Sequence, residues 1–298
     1  IDEVDHVATI PTTWGQSGIV YILEYLSQAM RDREGFWLFK DDDPLFFIAE
    51  ETYPYWLNNL DTRFPKNIKN YKHVRKHGTT AKFNINWFEN LNCPSGFRPV
   101  FIIHAAGHNI TGIDPSRDEI DRMASAILKM WWIAVVDAAY QAYWGRKGEG
   151  VDLKRDVQII SALRKKWIPT FVIQSFSKIT TWYDLRSGAL HYINSDENEV
   201  EQAQARFVNL SANSIIAFSV LSQQVVANIF NDPDIFEQLT RDDLPRANHL
   251  LHDRREILET ELENGASERV GFFECFGQRQ NLQERSVNDW VEELAKAS

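Results

Sequence analysis

The sequence predicts an α/β protein: a mostly parallel, doubly wound sheet flanked by helices, followed by part of a smaller α+β domain. Three observations carry this expectation. The apolar runs RPVFIIHAAGHN, WWIAVVDAAYQ and WIPTFVIQSFSK each end in a polar cluster. Segments of helical character separate them, and the last third of the chain changes to long helical periodicity.

In the first run Val and Ile follow one another without polar alternation, the pattern of a strand buried on both faces. The segment DPSRDEIDRMASAILKM then reads as a helix, with Asp114 as its cap, Pro115 in its first turn and acids crowding its start. The second run gives another strand, DLKRDVQIISALRKK another helix, and the third run a third strand. Strand–helix–strand order implies right-handed crossovers and a parallel sheet, whose ligands sit at the carboxyl ends of the strands. Further on, DDLPRANHLLHDRREILETELENG sets Leu244, Ala247, Leu251, Leu258 and Leu262 on one stripe, with Gly265 as a stop. We expect a large domain over 1–235 and part of a small domain over 236–298.

A length of 298 residues suffices for such a core. The formal charge of −10 argues against a nucleic-acid partner. No uncharged apolar stretch of about 18 residues is present, so no membrane span is expected. The basic stretch KNIKNYKHVRKHG, around Tyr71 and His73, reads as a solvated, flexible insertion. Cys93 and Cys275 fit no metal spacing and read as buried free thiols of a reducing, cytoplasmic compartment. The triplets at Asn109 and Asn209 read as chance matches to a glycosylation signal, and GRKGEG lacks the ending of a phosphate loop. The chain starts at Ile1 with no leader, as an internal piece of a longer protein would.

The strand ends carry the chemistry. The first supplies His108 and Asn109, the second Asp137 and Tyr140, the third Ser175, Ser177 and Lys178, with Arg186 soon after. His108 has no second ligand at metal spacing and reads as structural, and Tyr183 reads as packing. A lysine beside cations in a partly desolvated site has a lowered pKa, which frees its amine for a Schiff base. A buried carboxylate can keep a pyridine nitrogen protonated, and serine hydroxyls with an arginine fork suit a phosphate monoester. Each requirement of pyridoxal 5′-phosphate (PLP) therefore has a candidate.

These residues resemble a known family. QSFSK, with an arginine eight residues after the lysine and a glycine two beyond it, is similar to the cofactor-lysine motif of class I aminotransferases, the aspartate aminotransferase branch above all. HAAGHNITGIDP and DAAYQAYWG resemble two further segments of that branch, and the spacing from Asn109 to Asp137 and Tyr140 fits. The resemblance runs, with gaps, from about residue 7 to residue 277. It implies a fold-type I PLP protein and assigns roles. Lys178 would form the Schiff base and shuttle the proton, Asp137 would pair with the pyridine nitrogen, and Tyr140 and Asn109 would hold the phenolic oxygen. Ser175, Arg186 and Thr13 would bind the phosphate, and Tyr53 would stack on the ring.

It further implies amino-group transfer between an amino acid and a 2-oxo acid in a homodimer. The departures keep two alternatives open: another PLP reaction (elimination, cyclisation or decarboxylation) or a degenerate homologue acting by association. Pro11 and Trp14 stand where the family's phosphate turn has small residues, a proline lacking the backbone donor and an indole crowding the cradle. Ile110 replaces a proline, which makes a cis bond costly there and sets the loop of Asn109 apart. No arginine matches the family's ligand for a substrate side-chain carboxylate, Arg206 falling too early. The N-terminal arm and the segment for the α-carboxylate arginine are missing.

Overall fold

The computed structural model describes residues 6–31, 42–77, 80–143, 151–214 and 219–261. The chain runs β1 (His6–Thr12), α1 (Gly15–Arg31), β2 (Asp43–Ala49), α2 (Pro54–Arg63) and β3 (Ile68–Tyr71). A hairpin of β4 (Val74–His77) and β5 (Thr80–Phe83) and the short α3 (Ile85–Glu89) lead to β6 (Phe97–His104), α4 (Arg117–Lys129) and β7 (Ile133–Ala138). Then come α5 (Leu153–Asp156), α6 (Gln158–Arg164), β8 (Thr170–Ser175), α7 (Phe176–Ile179) and β9 (Gly188–Asn194). Helices α8 (Glu197–Ser214), α9 (Val220–Asn231), α10 (Pro233–Gln238) and α11 (Leu244–Glu261) close the described chain.

Seven strands form one sheet in the order β1-β9-β8-β7-β6-β2-β3. Strands β3, β2, β6, β7 and β8 are mutually parallel, while β9 runs antiparallel to both β8 and β1. The three strands expected from the apolar runs are the centre of this sheet. Their pleat sends alternate residues into two cores. Val100, Ile102, Ile133, Val135, Phe171 and Ile173 face the layer of α1, α2 and α8, whereas Phe101, Ile103, Ala134, Val136 and Val172 face α3, α4 and α6. Helix α1 lies close on β8, because a Cβ at Gly18 would come within 2.8 Å of Ile173 Cγ2. That approach carries the start of α1 to the carboxyl end of β8.

Several local expectations are corrected. Helix α4 is capped by Ser116, in a reciprocal capping box with Glu119, and not by Asp114. The Asp114 carboxylate instead accepts the Gly107 and His108 N–H groups at 2.7 and 2.9 Å, tying down the loop after β6. The second expected helix is two, interrupted at Val157 (φ −102°, ψ 8°). TIPTT is not a turn: β1 runs through Thr12, and the turn is confined to the residues just before Gly15. The basic stretch is no flexible insertion, for Tyr71 ends β3 and is 1% exposed and His73 is 4% exposed. Helix α11 has the expected stripe, with Leu244, Ala247 and Leu251 packed against Tyr143 and Ile179. Leu262, Gly265 and Cys275 lie outside the described residues, and Cys93 is a half-buried free thiol.

Candidate active site

The carboxyl ends of β6, β7 and β8 open into a cavity of about 270 Å³, just below the roughly 300–1,000 Å³ of small-molecule sites. Its walls include Asn109, Asp137, Tyr140, Ser175, Ser177, Lys178 and Arg186, so residues far apart in sequence meet in one place. Tyr53 joins them from the cap position of α2, its hydroxyl accepting Gln16 Nε2–H at 2.5 Å. Thr13 is absent from the lining; its hydroxyl bonds Ser17 at 2.7 Å, and its neighbours Trp14, Gly15 and Gln16 form that wall.

Asp137 sits next to last on β7 and is 7% exposed. One carboxylate oxygen accepts the Trp56 indole N–H at 3.0 Å and the other the Ala139 N–H at 3.2 Å. The fully buried Trp56 was not foreseen, although ETYPYW places it one helical turn beyond Tyr53. Asn109 Nδ2–H donates to the Tyr140 hydroxyl at 3.5 Å, and the Asn109–Ile110 peptide is cis. Asn109 N–H also donates to His104 Nδ1 at 3.1 Å, which leaves the proton of a neutral His104 on Nε2. Asn109 is buried, out of reach of glycosylation.

Lys178 lies in the first turn after β8, with Nζ 4.9 Å from the Tyr140 ring and 5.7 Å from the Tyr183 ring. Burial holds its ammonium pKa below the ordinary value; Asp137 and Tyr183 act against that shift, and Arg186 adds to it. Burial and the Asp137 charge push the Tyr140 phenol up, so it is a neutral donor at physiological pH. Tyr183, read from the sequence as packing, is 59% exposed and lines the cavity mouth. Its ring lies 4.7 Å from the Arg186 guanidinium, whose other aromatic neighbour is Trp14 at 3.3 Å. Arg186 has positive φ (49°) and makes no ion pair among the described residues.

The turn after β7 is fastened independently. Ala142, at φ 73°, donates its N–H to Asp156 and accepts Asn248 Nδ2–H on its carbonyl at 2.8 Å. Next along, the Tyr143 hydroxyl donates to the Lys178 carbonyl at 3.0 Å. Burial pushes the Asp156 carboxyl up to about 7, with Asp114 and Asp152 adding to the rise and the Ala142 N–H and Arg155 opposing it. On the far side of His104, the His73 and His108 rings stack with centroids 3.4 Å apart.

The model of the family "Aminotransferase class I and II" matches residues 74–282, more than half of the chain. The chain belongs to this family. Aminotransferases similar to it include the cytoplasmic aspartate aminotransferase of Schizosaccharomyces pombe, 24% identical over 214 residues, which cover 72% of this chain and 46% of the relative. That of Saccharomyces cerevisiae is 26% identical, over 67% of this chain and 48% of the relative. The chain thus spans about half the length of the curated relatives it matches. Among solved aminotransferases, the aspartate enzyme of Trypanosoma cruzi superposes with a TM-score of 0.75 at 18% identity, covering 98% of this chain and 71% of that one. The aromatic amino acid aminotransferase of Burkholderia pseudomallei, described as covalently bound to pyridoxal phosphate, gives 0.72 at 16% identity over 86% and 59% of the two chains. These likenesses establish a fold-type I architecture. The relatives include cytoplasmic and mitochondrial forms, and no helix among the described residues is long and apolar enough to cross a membrane.

The aminotransferase family is PLP-dependent, and the donor set here fits that cofactor. A desolvated lysine amine, a carboxylate held by two N–H groups, and a guanidinium without a carboxylate partner among the described residues share one cavity.

Proposed function

We propose that this chain carries the cofactor-binding portion of an aminotransferase that moves an amino group between an amino acid and a 2-oxo acid. The observation that carries the proposal is the convergence of Lys178, Asp137 and Arg186 in one cavity. PLP, when bound, supplies a protonated ring that withdraws electrons from the substrate's Cα.

The residues divide the remaining work. Lys178 would take the cofactor's aldehyde and then carry the proton at Cα, a role suited to an amine whose ammonium form is disfavoured by burial. Asp137 would lie opposite the pyridine nitrogen, its carboxylate oriented by the Trp56 and Ala139 N–H groups. Tyr140 and Asn109 would donate to the phenolic oxygen. Ser175 and Arg186 would receive the phosphate, and Tyr53, tethered by Gln16, would border the ring. Thr13, one residue before Trp14 and bonded to Ser17, would join them at the phosphate. Arg186 is the sole arginine lining the cavity among the described residues, so a second carboxylate-binding cation would come from elsewhere in the assembly. Family precedent supports a homodimer, and we retain the division at 235, which falls within α10.

Mixing the protein with PLP, reducing with borohydride and mapping the adduct by mass spectrometry tests this reading. A single cofactor adduct on Lys178, absent from Lys178→Ala, is expected. Equal labelling of surface lysines in both proteins would sink it.

A further inference from the structure

Trp14 stands where the resemblance implies a small residue, and the sequence alone casts it as an obstruction. Its position in the structure suggests the opposite role. The Arg186 guanidinium lies 3.3 Å from the centre of the Trp14 ring and 4.7 Å from that of Tyr183. Indole, guanidinium and phenol belong to the same cavity wall as Ser175, and Arg186 reaches them from a left-handed backbone conformation.

A guanidinium is planar, and all five of its N–H donors lie in that plane. Aromatic rings occupy the faces of such a plane and leave its edge for hydrogen bonds. One edge donor is engaged, Nη1–H to the Tyr183 carbonyl at a long 3.4 Å. No carboxylate pairs with the group among the described residues, so its charge is not neutralised by the protein. A stacked arginine has already lost the side-chain freedom that it would otherwise lose on meeting an anion.

We infer that Trp14 is a positioning residue for a phosphate monoester: its indole is the platform that holds the Arg186 fork edge-on to the anion. The inference rests on the PLP reading of this cavity and deepens it. The platform replaces part of what a small-residue turn would supply through backbone N–H groups. It also makes recognition depend on a ring face and not on bulk.

The two roles for Trp14 predict opposite signs. Calorimetric titration of the full chain with inorganic phosphate, PLP and pyridoxal (the same ring without phosphate) separates them. If Trp14 is a platform, Trp14→Ala and Trp14→Leu each weaken binding of inorganic phosphate and PLP by about 5- to 10-fold, the loss of one partly desolvated cation–π contact. Trp14→Phe retains most of the affinity, and pyridoxal binds all four proteins alike. Leucine keeps apolar bulk without a ring, so its loss of affinity would not be a packing effect. Circular dichroism of each variant confirms folding, and the phenylalanine form serves if alanine does not fold. Unchanged or tighter phosphate binding by Trp14→Leu would overturn the inference, as would a parent chain that takes up no phosphate. Failure of the PLP reading gives a different pattern: phosphate still binds in a Trp14-dependent manner, but borohydride traps no cofactor on Lys178.

Discussion

Asp137 shows how much a single residue owes to neighbours that the sequence does not place beside it. Its identity and its spacing from Asn109 and Tyr140 were legible, because each stands at the end of an apolar run and the register of a parallel sheet aligns those ends. Its partner Trp56 was not legible, since it arrives from α2 across the sheet and no periodicity records a contact of that kind. We expect Trp56→Phe to keep the fold but to remove one charge-assisted hydrogen bond. The loss should be about 1–3 kcal/mol of stability, read as a lowered urea midpoint, with roughly tenfold weaker PLP binding. Unaltered cofactor affinity would show that the Ala139 N–H alone suffices to hold the carboxylate. Asp114 gives the complementary lesson. It has the right chemistry for a helix cap, yet two loop N–H groups take both of its oxygens, and Ser116 caps instead.

At the scale of elements, the central strands were readable because they are buried on both faces, and the outer ones were not. Strand β1 hides behind Pro11 and two threonines, in a stretch the resemblance marks as a turn. Helix α11 was visible as a stripe, but its purpose was not. Through Asn248 it holds the carbonyl of Ala142, two residues beyond Tyr140, in a turn that also fastens the Lys178 carbonyl by Tyr143. Asn248→Ala should therefore act at a distance. Removing this buried bond is expected to lower stability by about 1 kcal/mol and to slow borohydride-trapped labelling of Lys178 several-fold. Labelling at the parent's rate would confine α11 to packing.

For the whole molecule, the buried ionisable groups set the response to acid. Burial lowers His73 to about 3 and holds His104 and His108 below the ordinary imidazole value, in a cluster where Nδ1 of His73 and Nε2 of the other two have no hydrogen-bond partner among the described residues. The unfolded chain protonates these rings near 6.5, whereas the folded chain does not. Their contribution is thus complete above pH 6.5 and is lost as the pH falls below it. Asp156, raised to about 7, works in the other direction, binding its proton in the folded state before the unfolded chain does. With three histidines against one acid, stability should fall as the pH drops below 6. Urea titrations at pH 7.5, 6 and 5 measure this; a flat profile would mean that the stack admits water. Neither the stack nor its acid sensitivity was legible, since Tyr71 and His73 stand in a stretch so basic that it reads as solvent-facing.

The antiparallel course of β9 has one more consequence. Had β9 been parallel, a crossover helix would separate Ser175 and Lys178 from Arg186 by a dozen residues or more. Instead Ser175 pairs with Gly188, so the cavity's lysine and its arginine sit on one short excursion between neighbouring strands. Such a loop closes at small entropic cost, and its two ends cannot separate without opening the hairpin. The cationic half of the site is in this sense a single cassette: it can assemble locally during folding, before the distant carboxylate, phenol and amide are brought to meet it.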